Sequence, residues 1–238
     1  MVEKNHKTRS LKKIRIVTNV LTTALKLWLR SQVSQISQLE VEIRASDRQI
    51  LTGCIPWVSI FASNAVYKGL HLTQIQLIAE NIRINIGSVL KGQPLQLLET
   101  VSVFGELTQE EEALQASLSS SLLSDALDDI FITILPNDSE KYRSITWQKI
   151  NLDYDTVALT AISSEQEDIK QLNITLGLQL LSAYELQISP IHIGSNTVIL
   201  LEANQNKHRL NLGSEVNIQE LKLIPGKLMC RGRINVNP

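Results

Sequence analysis

Runs in which apolar and polar residues alternate cover most of this chain, and a period of two restricts its fold more than any other feature. The clearest run is the last one. Leu228, Cys230, Gly232, Ile234 and Val236 fall on one face of an extended segment, and Met229, Arg231, Arg233 and Asn235 fall on the other. Pro225-Gly226 just before it suits a type II turn, so residues 221–236 read as a hairpin. Further strands are expected at 39–43, 70–77, 82–86, 95–107, 145–152, 157–162, 172–180, 184–193 and 198–203. Between 49 and 67 no charge occurs, but Gly53, Pro56, Ser59, Ser63 and Asn64 argue against a spanning helix. That stretch reads as a short helix capped by Asp47 and stopped at Pro56, then a strand with Val58 and Ile60 inward.

Two segments break the pattern. Thr108-Gln109-Glu110-Glu111 matches a capping box and predicts a helix start. Beyond it, Leu114, Leu118 and Leu122 drift to one side, while Leu123, Ala126, Leu127 and Ile130 gather on another, so Ser119-Ser120-Ser121 marks a kink or break. The second segment runs from Leu11 to Ile36 with helical periodicity. Lys12, Arg15, Asn19, Thr23, Lys26 and Arg30 share a wedge of about 80°, opposite Ile14, Val17, Val20, Leu21, Ala24, Leu25, Leu27 and Trp28. Strands and helices are segregated along the chain rather than alternating. The expected class is therefore α+β: a curved, mostly antiparallel sheet wrapped on a kinked central helix, plus an N-terminal amphipathic helix. Residues 1–38 form the arm and 39–238 the body.

Charge follows the same division. The first 39 residues hold eight basic side chains against Glu3 alone, while the rest holds 15 basic and 23 acidic. A cationic arm on an acidic body favours an anionic partner. With Trp28 suited to a headgroup boundary, the expected membrane contacts are Lys12, Arg15, Lys26, Arg30 and Trp28. Arg15 and Arg30 leave too few residues between them to span a bilayer, which needs about 20. The broken apolar run and missing small-residue cleavage site also fit a secretory signal poorly. The alternative is that this helix docks on the body. The expected location is the cytoplasmic side of a membrane, peripherally, with export left open.

Reactive chemistry is sparse. No phosphate loop, dinucleotide fingerprint, zinc-protease helix or nucleophile elbow occurs. His6, His71, His192 and His208 have no ligand at metal-binding spacing, and Asp125, Asp128, Asp129, Asp153 and Asp155 suit a solvated helix face and a turn. Cys54 and Cys230 sit among apolar neighbours as small hydrophobes. No enzyme activity, metal or cofactor is expected. Nucleic acid is not an expected partner either, because the body is acidic and lacks interleaved aromatics. A lipid hydrolase would require Ser120 or Ser121 to meet one of the histidines in the fold. What remains is an aliphatic surplus, which either packs an ordinary core or lines an apolar cavity.

A family resemblance bears on that choice. Its residues are Tyr67-Lys68-Gly69-Leu70, Ile75-Gln76-Leu77, Asn81-Ile82-Arg83-Ile84-Asn85-Ile86, Leu90-Lys91-Gly92, Leu107-Thr108-Gln109-Glu110-Glu111 and Ala113-Leu114-Gln115. They continue with Leu212-Gly213, Leu221-Lys222-Leu223, Gly226-Lys227-Leu228 and Gly232. In this order they resemble the LmeA-like phospholipid-binding family, over about Leu39 to Val236. The resemblance implies a fold similar to tubular lipid-binding domains, with a curved antiparallel sheet around a long helix enclosing acyl chains, and no catalysis. Family members are often exported, whereas this chain starts with a basic amphipathic arm. The expected function is non-enzymatic binding, transfer or sensing of phospholipid or a similar apolar ligand at an anionic membrane. Expected cavity-lining residues are Leu114, Leu118, Leu122, Leu123, Leu127, Ile130, Val101, Val103, Leu176 and Leu178. The alternative is a membrane-associated interaction protein with a fully packed body and no ligand.

Overall fold

A computed structural model of the chain describes residues 16–89, 91, 93–135, 145–165, 168–195, 199–203 and 208–238. Helix α1 (Ile16–Gln32) leads into strand β1 (Gln38–Arg44), where Leu39, Val41 and Ile43 point inward and their neighbours outward. Helix α2 (Asp47–Leu51) follows, then strands β2 (Cys54–Tyr67) and β3 (Leu70–Arg83). Lys68 and Gly69, both at positive φ, close the β2–β3 hairpin as a primed turn requires. Helix α3 (Ile86–Val89) precedes β4 (Val101–Glu110), α4 (Glu111–Ser117) and α5 (Ser121–Ile134). The remaining strands are β5 (Ile145–Asp153), β6 (Thr156–Glu165), β7 (Asp168–Ser182) and β8 (Glu185–Ser195). They are followed by β9 (Ile199–Ala203), β10 (His208–Asn211), β11 (Val216–Ile224) and β12 (Lys227–Val236).

These strands make two open, curved antiparallel sheets. The first has the order β1-β2-β3-β4-β12-β11, so the C-terminal hairpin returns to pair with β4. The second has the order β10-β8-β7-β6-β5, with β9 also on β8. Gly226 at +74° makes the turn expected of Pro225-Gly226.

There are two cores, and the one on the second sheet also takes in Leu223 of β11. Leu127, Phe131 and Ile134 of α5 pack on Trp147, Ile150, Leu159, Leu172, Ile174 and Ile191 of the second sheet. Phe131 meets Trp147 edge-on, with ring centroids 6.2 Å apart, and the Trp147 indole donates to Asp128 Oδ1 at 2.8 Å. In the first sheet, Val17, Leu21, Leu25 and Leu29 of α1 lie on Leu39, Val41, Ile43, Val58 and Ala62. Helix α4 joins the two sheets. Its Glu111 and Gln115 carboxylate and amide oxygens accept the N–H groups of Leu152 and Ile150 at 2.6 and 3.0 Å, along the outer edge of β5. Its Ser117 hydroxyl accepts the His71 N–H at 2.8 Å where β3 begins.

Several local expectations are corrected. Thr108 does not cap a helix: β4 runs on to Glu110, Thr108 pairs with Met229, and Glu110 is an N-cap without a side-chain hydrogen bond. Pairing with β12 carries the strand past the box, and Glu111 serves β5 instead. Of the kink or break expected at Ser119–Ser121 the structure has the break, so the kinked central helix is two helices, with Ser120 capping α5 by accepting the Leu123 N–H at 3.3 Å. Helix α2 is capped by Ser46, whose capping box with Gln49 is complete, and Pro56 lies inside β2 rather than ending a helix. Strand β4 starts at Val101 rather than at 95, and β10 was not expected.

Asp47 is used elsewhere. Its Oδ1 accepts the Thr18 N–H at 3.1 Å and the Thr18 hydroxyl at 2.9 Å, so it caps α1 across 29 residues of sequence. The Thr18 N–H above all holds this carboxylate below its ordinary pKa; desolvation opposes, and the Thr18 hydroxyl and the Val17 and Ile16 N–H groups assist. Because the ionised form is the one favoured in the fold, the cap is fully present above the ordinary carboxylate range and is lost as pH falls through the depressed value. Amide chemical shifts of residues 18–30 are thus expected to stay constant from pH 7 to about 4 and to move only below it.

Candidate lipid-binding face

Register carries the apolar face across the whole first sheet. One cross-strand row is Leu39–Ala62–Ile75–Leu107–Cys230–Leu221, the next is Val41–Ile60–Leu77–Gly105–Gly232–Ile218, and the third is Ile43–Val58–Ala79–Val103–Ile234–Val216. None of these positions is polar. The opposite face mixes Glu40, Glu42, Gln74, Gln76, Glu106, Arg231, Arg233 and Lys222 with Phe61, Ile78, Phe104 and Met229, so a one-residue slip would bring charge onto the apolar rows.

Coverage of this face is uneven. At the β1–β2 side α1 lies over it, and the same core takes in Val101 of β4 with Val103 packed against it. Toward the β11–β12 turn, Leu223 enters the second core, with Leu221 and Leu228 beside it. Between these covered ends, Leu77, Gly105, Leu107, Cys230 and Ile218 are only half-buried, and Ile234 is 52% exposed. These positions make a partly buried apolar floor four strands wide, about 14 Å at ordinary strand spacing, that belongs to neither core. Cys230 is one of two free cysteines, and burial pushes its thiol pKa up. A Cβ on Gly105 would meet only Leu77 Cδ2, at 3.3 Å, whereas on Gly232 it would strike the Asn217 carbonyl oxygen at 2.5 Å. Gly232 therefore serves the bulge in β11, and Gly105 keeps the floor low.

The residues expected to line a cavity are distributed over both cores. Leu118, Leu127 and Leu176 are buried in the second core, and Leu114, Leu123, Ile130 and Leu178 pack against it. Leu122 is 41% exposed. Val101 and Val103 belong to the first core, and Val103 adjoins the open floor. The sequence reading did not single out Leu77, Leu107, Ile218 or Ile234 as ligand-facing. Alternation had placed Cys230 and Ile234 on a common face, but not what covers that face.

Of the expected membrane contacts, Lys12 and Arg15 lie outside the described residues. Trp28 and Arg30 are exposed and Lys26 is half-buried. Helix α1 docks through Val17, Leu21, Leu25 and Leu29, yet Ile16, Val20, Leu27 and Trp28 remain more than half exposed beside the docked side. No described helix is long and apolar enough to cross a membrane.

Ser120 Oγ donates to the Ser117 carbonyl at 2.7 Å, and the serine next to His71 is Ser117, bonded to the backbone N–H and not to the imidazole. Among the described residues no group of His, Cys, Asp or Glu could hold a metal ion.

A partly buried apolar sheet face that belongs to neither core is a surface on which an acyl chain can lie. The model of the LmeA-like phospholipid-binding family matches residues 13–233. The chain belongs to that family. As a member of a phospholipid-binding family it has lipid as its ligand class. No curated protein and no solved structure matches it.

Proposed function

We propose that this LmeA-like protein binds phospholipid without catalysis, acyl chains lying on the open floor around Leu77, Leu107, Cys230 and Ile234, and that it transfers or senses lipid at an anionic membrane surface. The observation that carries this reading is the stretch of partly buried apolar sheet, with Ile234 exposed, that lies between the two cores and belongs to neither. A bound chain would finish burying these side chains, gaining about 0.8 kcal/mol for each CH₂ it buries. Protein purified without detergent is expected to yield phospholipid in an organic extract by mass spectrometry. Cys230 supplies a local test: in a Cys54→Ser background, loading with phosphatidylglycerol should slow its alkylation by about tenfold, because a chain over the thiol excludes the reagent. Equal alkylation of loaded and empty protein would place the lipid elsewhere.

Peripheral association is attributed to α1. Its exposed Ile16, Val20, Leu27 and Trp28 supply apolar surface for the interface, and Lys26 and Arg30 supply charge with no acidic residue on the helix. Flotation with vesicles containing phosphatidylglycerol should recover the wild-type chain and lose most of the Leu27→Glu, Trp28→Glu double variant. Retention of the double variant would assign the contact to another surface.

A further inference from the structure

We propose that α1 is a displaceable lid on the lipid face rather than a fixed wall. This rests on the lipid reading above and adds a regulation of the same site. The rows beneath α1 are the same rows that continue, without a polar residue, into the open floor, so helix and lipid compete for one continuous surface. The helix is held lightly. Its docked Val17, Leu21, Leu25 and Leu29 are all only half-buried, and Thr18 is its one buried residue. At its start the polar latch is Thr18, bonded to Asp47 Oδ1 and, through its hydroxyl at 3.4 Å, to the Ala45 carbonyl.

At its other end the chain is tied firmly: the Ser34 N–H reaches the Val66 carbonyl at 2.9 Å, Val66 N–H the Gln35 carbonyl at 2.8 Å, and Ser37 N–H the Ser63 carbonyl at 3.1 Å. Val33, between the end of the helix and these ties, is the natural hinge. The helix also has somewhere to go. Ile16, Val20 and Leu27 form a second apolar stripe, so leaving the sheet for a bilayer interface exchanges one apolar contact for another. Arrival at a membrane thus uncovers the β1–β2 half of the floor at the place where lipid is available.

The test uses the full chain and vesicles of phosphatidylcholine and phosphatidylglycerol carrying a fluorescent phospholipid. Asp47→Ala cuts the latch from the body side and Thr18→Val from the helix side, the latter leaving α2 intact. Both variants should take up lipid about fivefold faster than wild type, as expected for removal of a hydrogen-bonded tie. Hydrogen exchange of residues 18–32 should also rise in both variants before vesicles are added. Unchanged uptake in both variants, with α1 amides exchanging faster, overturns the lid and leaves lipid binding standing. Wild-type protein that takes up no lipid and yields none on extraction overturns both.

Discussion

Leu107→Asp should empty the protein of lipid while leaving it folded. Leu107 is half-buried at the middle of the floor, between Ile75 and Cys230 in its row, so a carboxylate there is hydrated in the empty protein and is stripped of water only when a chain covers it. Burying an unpaired carboxylate against hydrocarbon costs several kcal/mol, so lipid recovered by extraction should fall by about tenfold or more. Thr108→Asp is the matched control. It lies one residue further along β4 on the opposite face, between Gln74 and Met229, and its lipid content should equal the wild type's. Equal losses from both variants would trace the effect to the strand and not to the face.

Phe131→Ala is expected to lower stability by about 3–5 kcal/mol, the usual cost of removing a buried aromatic ring. The ring is 3% exposed and supports Trp147 edge-on, so its loss leaves a cavity between α5 and the second sheet. In a chain of this length that corresponds to a melting temperature roughly 10 °C lower. Below the transition, lipid content should be unchanged, since Leu77, Leu107, Cys230 and Ile234 are not part of the core that Phe131 belongs to. Loss of lipid from a folded Phe131→Ala protein would move the ligand into the second core, where Leu127 and Leu176 lie.

Alternation along single strands was readable in the chain. It placed β1 and β5 within a residue or two at most of their ends, found the Pro225-Gly226 hairpin though β11 begins five residues before the expected 221, and put Leu228, Cys230, Gly232, Ile234 and Val236 on one side. Signals that depend on a partner were misread. Thr108 and Glu111 form a sound capping box until β12 claims Thr108 for a ladder and β5 claims the Glu111 carboxylate. Asp47 has the composition of a local cap, and its real partner is 29 residues upstream. The floor was hidden for the same reason. Leu77 and Leu172 look alike in sequence, and only sheet order leaves one half-buried on an open face and the other at 0% exposure.

The side chains of α4 on β5 have a consequence for self-association. A terminal strand with free amides invites a neighbouring molecule to extend it. Here the Ile150 and Leu152 amides are already engaged by Gln115 and Glu111, while the Gln115 amide donates to the Gln148 carbonyl at 2.8 Å. Removing both side chains by Glu111→Ala, Gln115→Ala would expose a template for polymer growth on that flank, so α4 works as a guard against fibrils as well as a bolt between sheets.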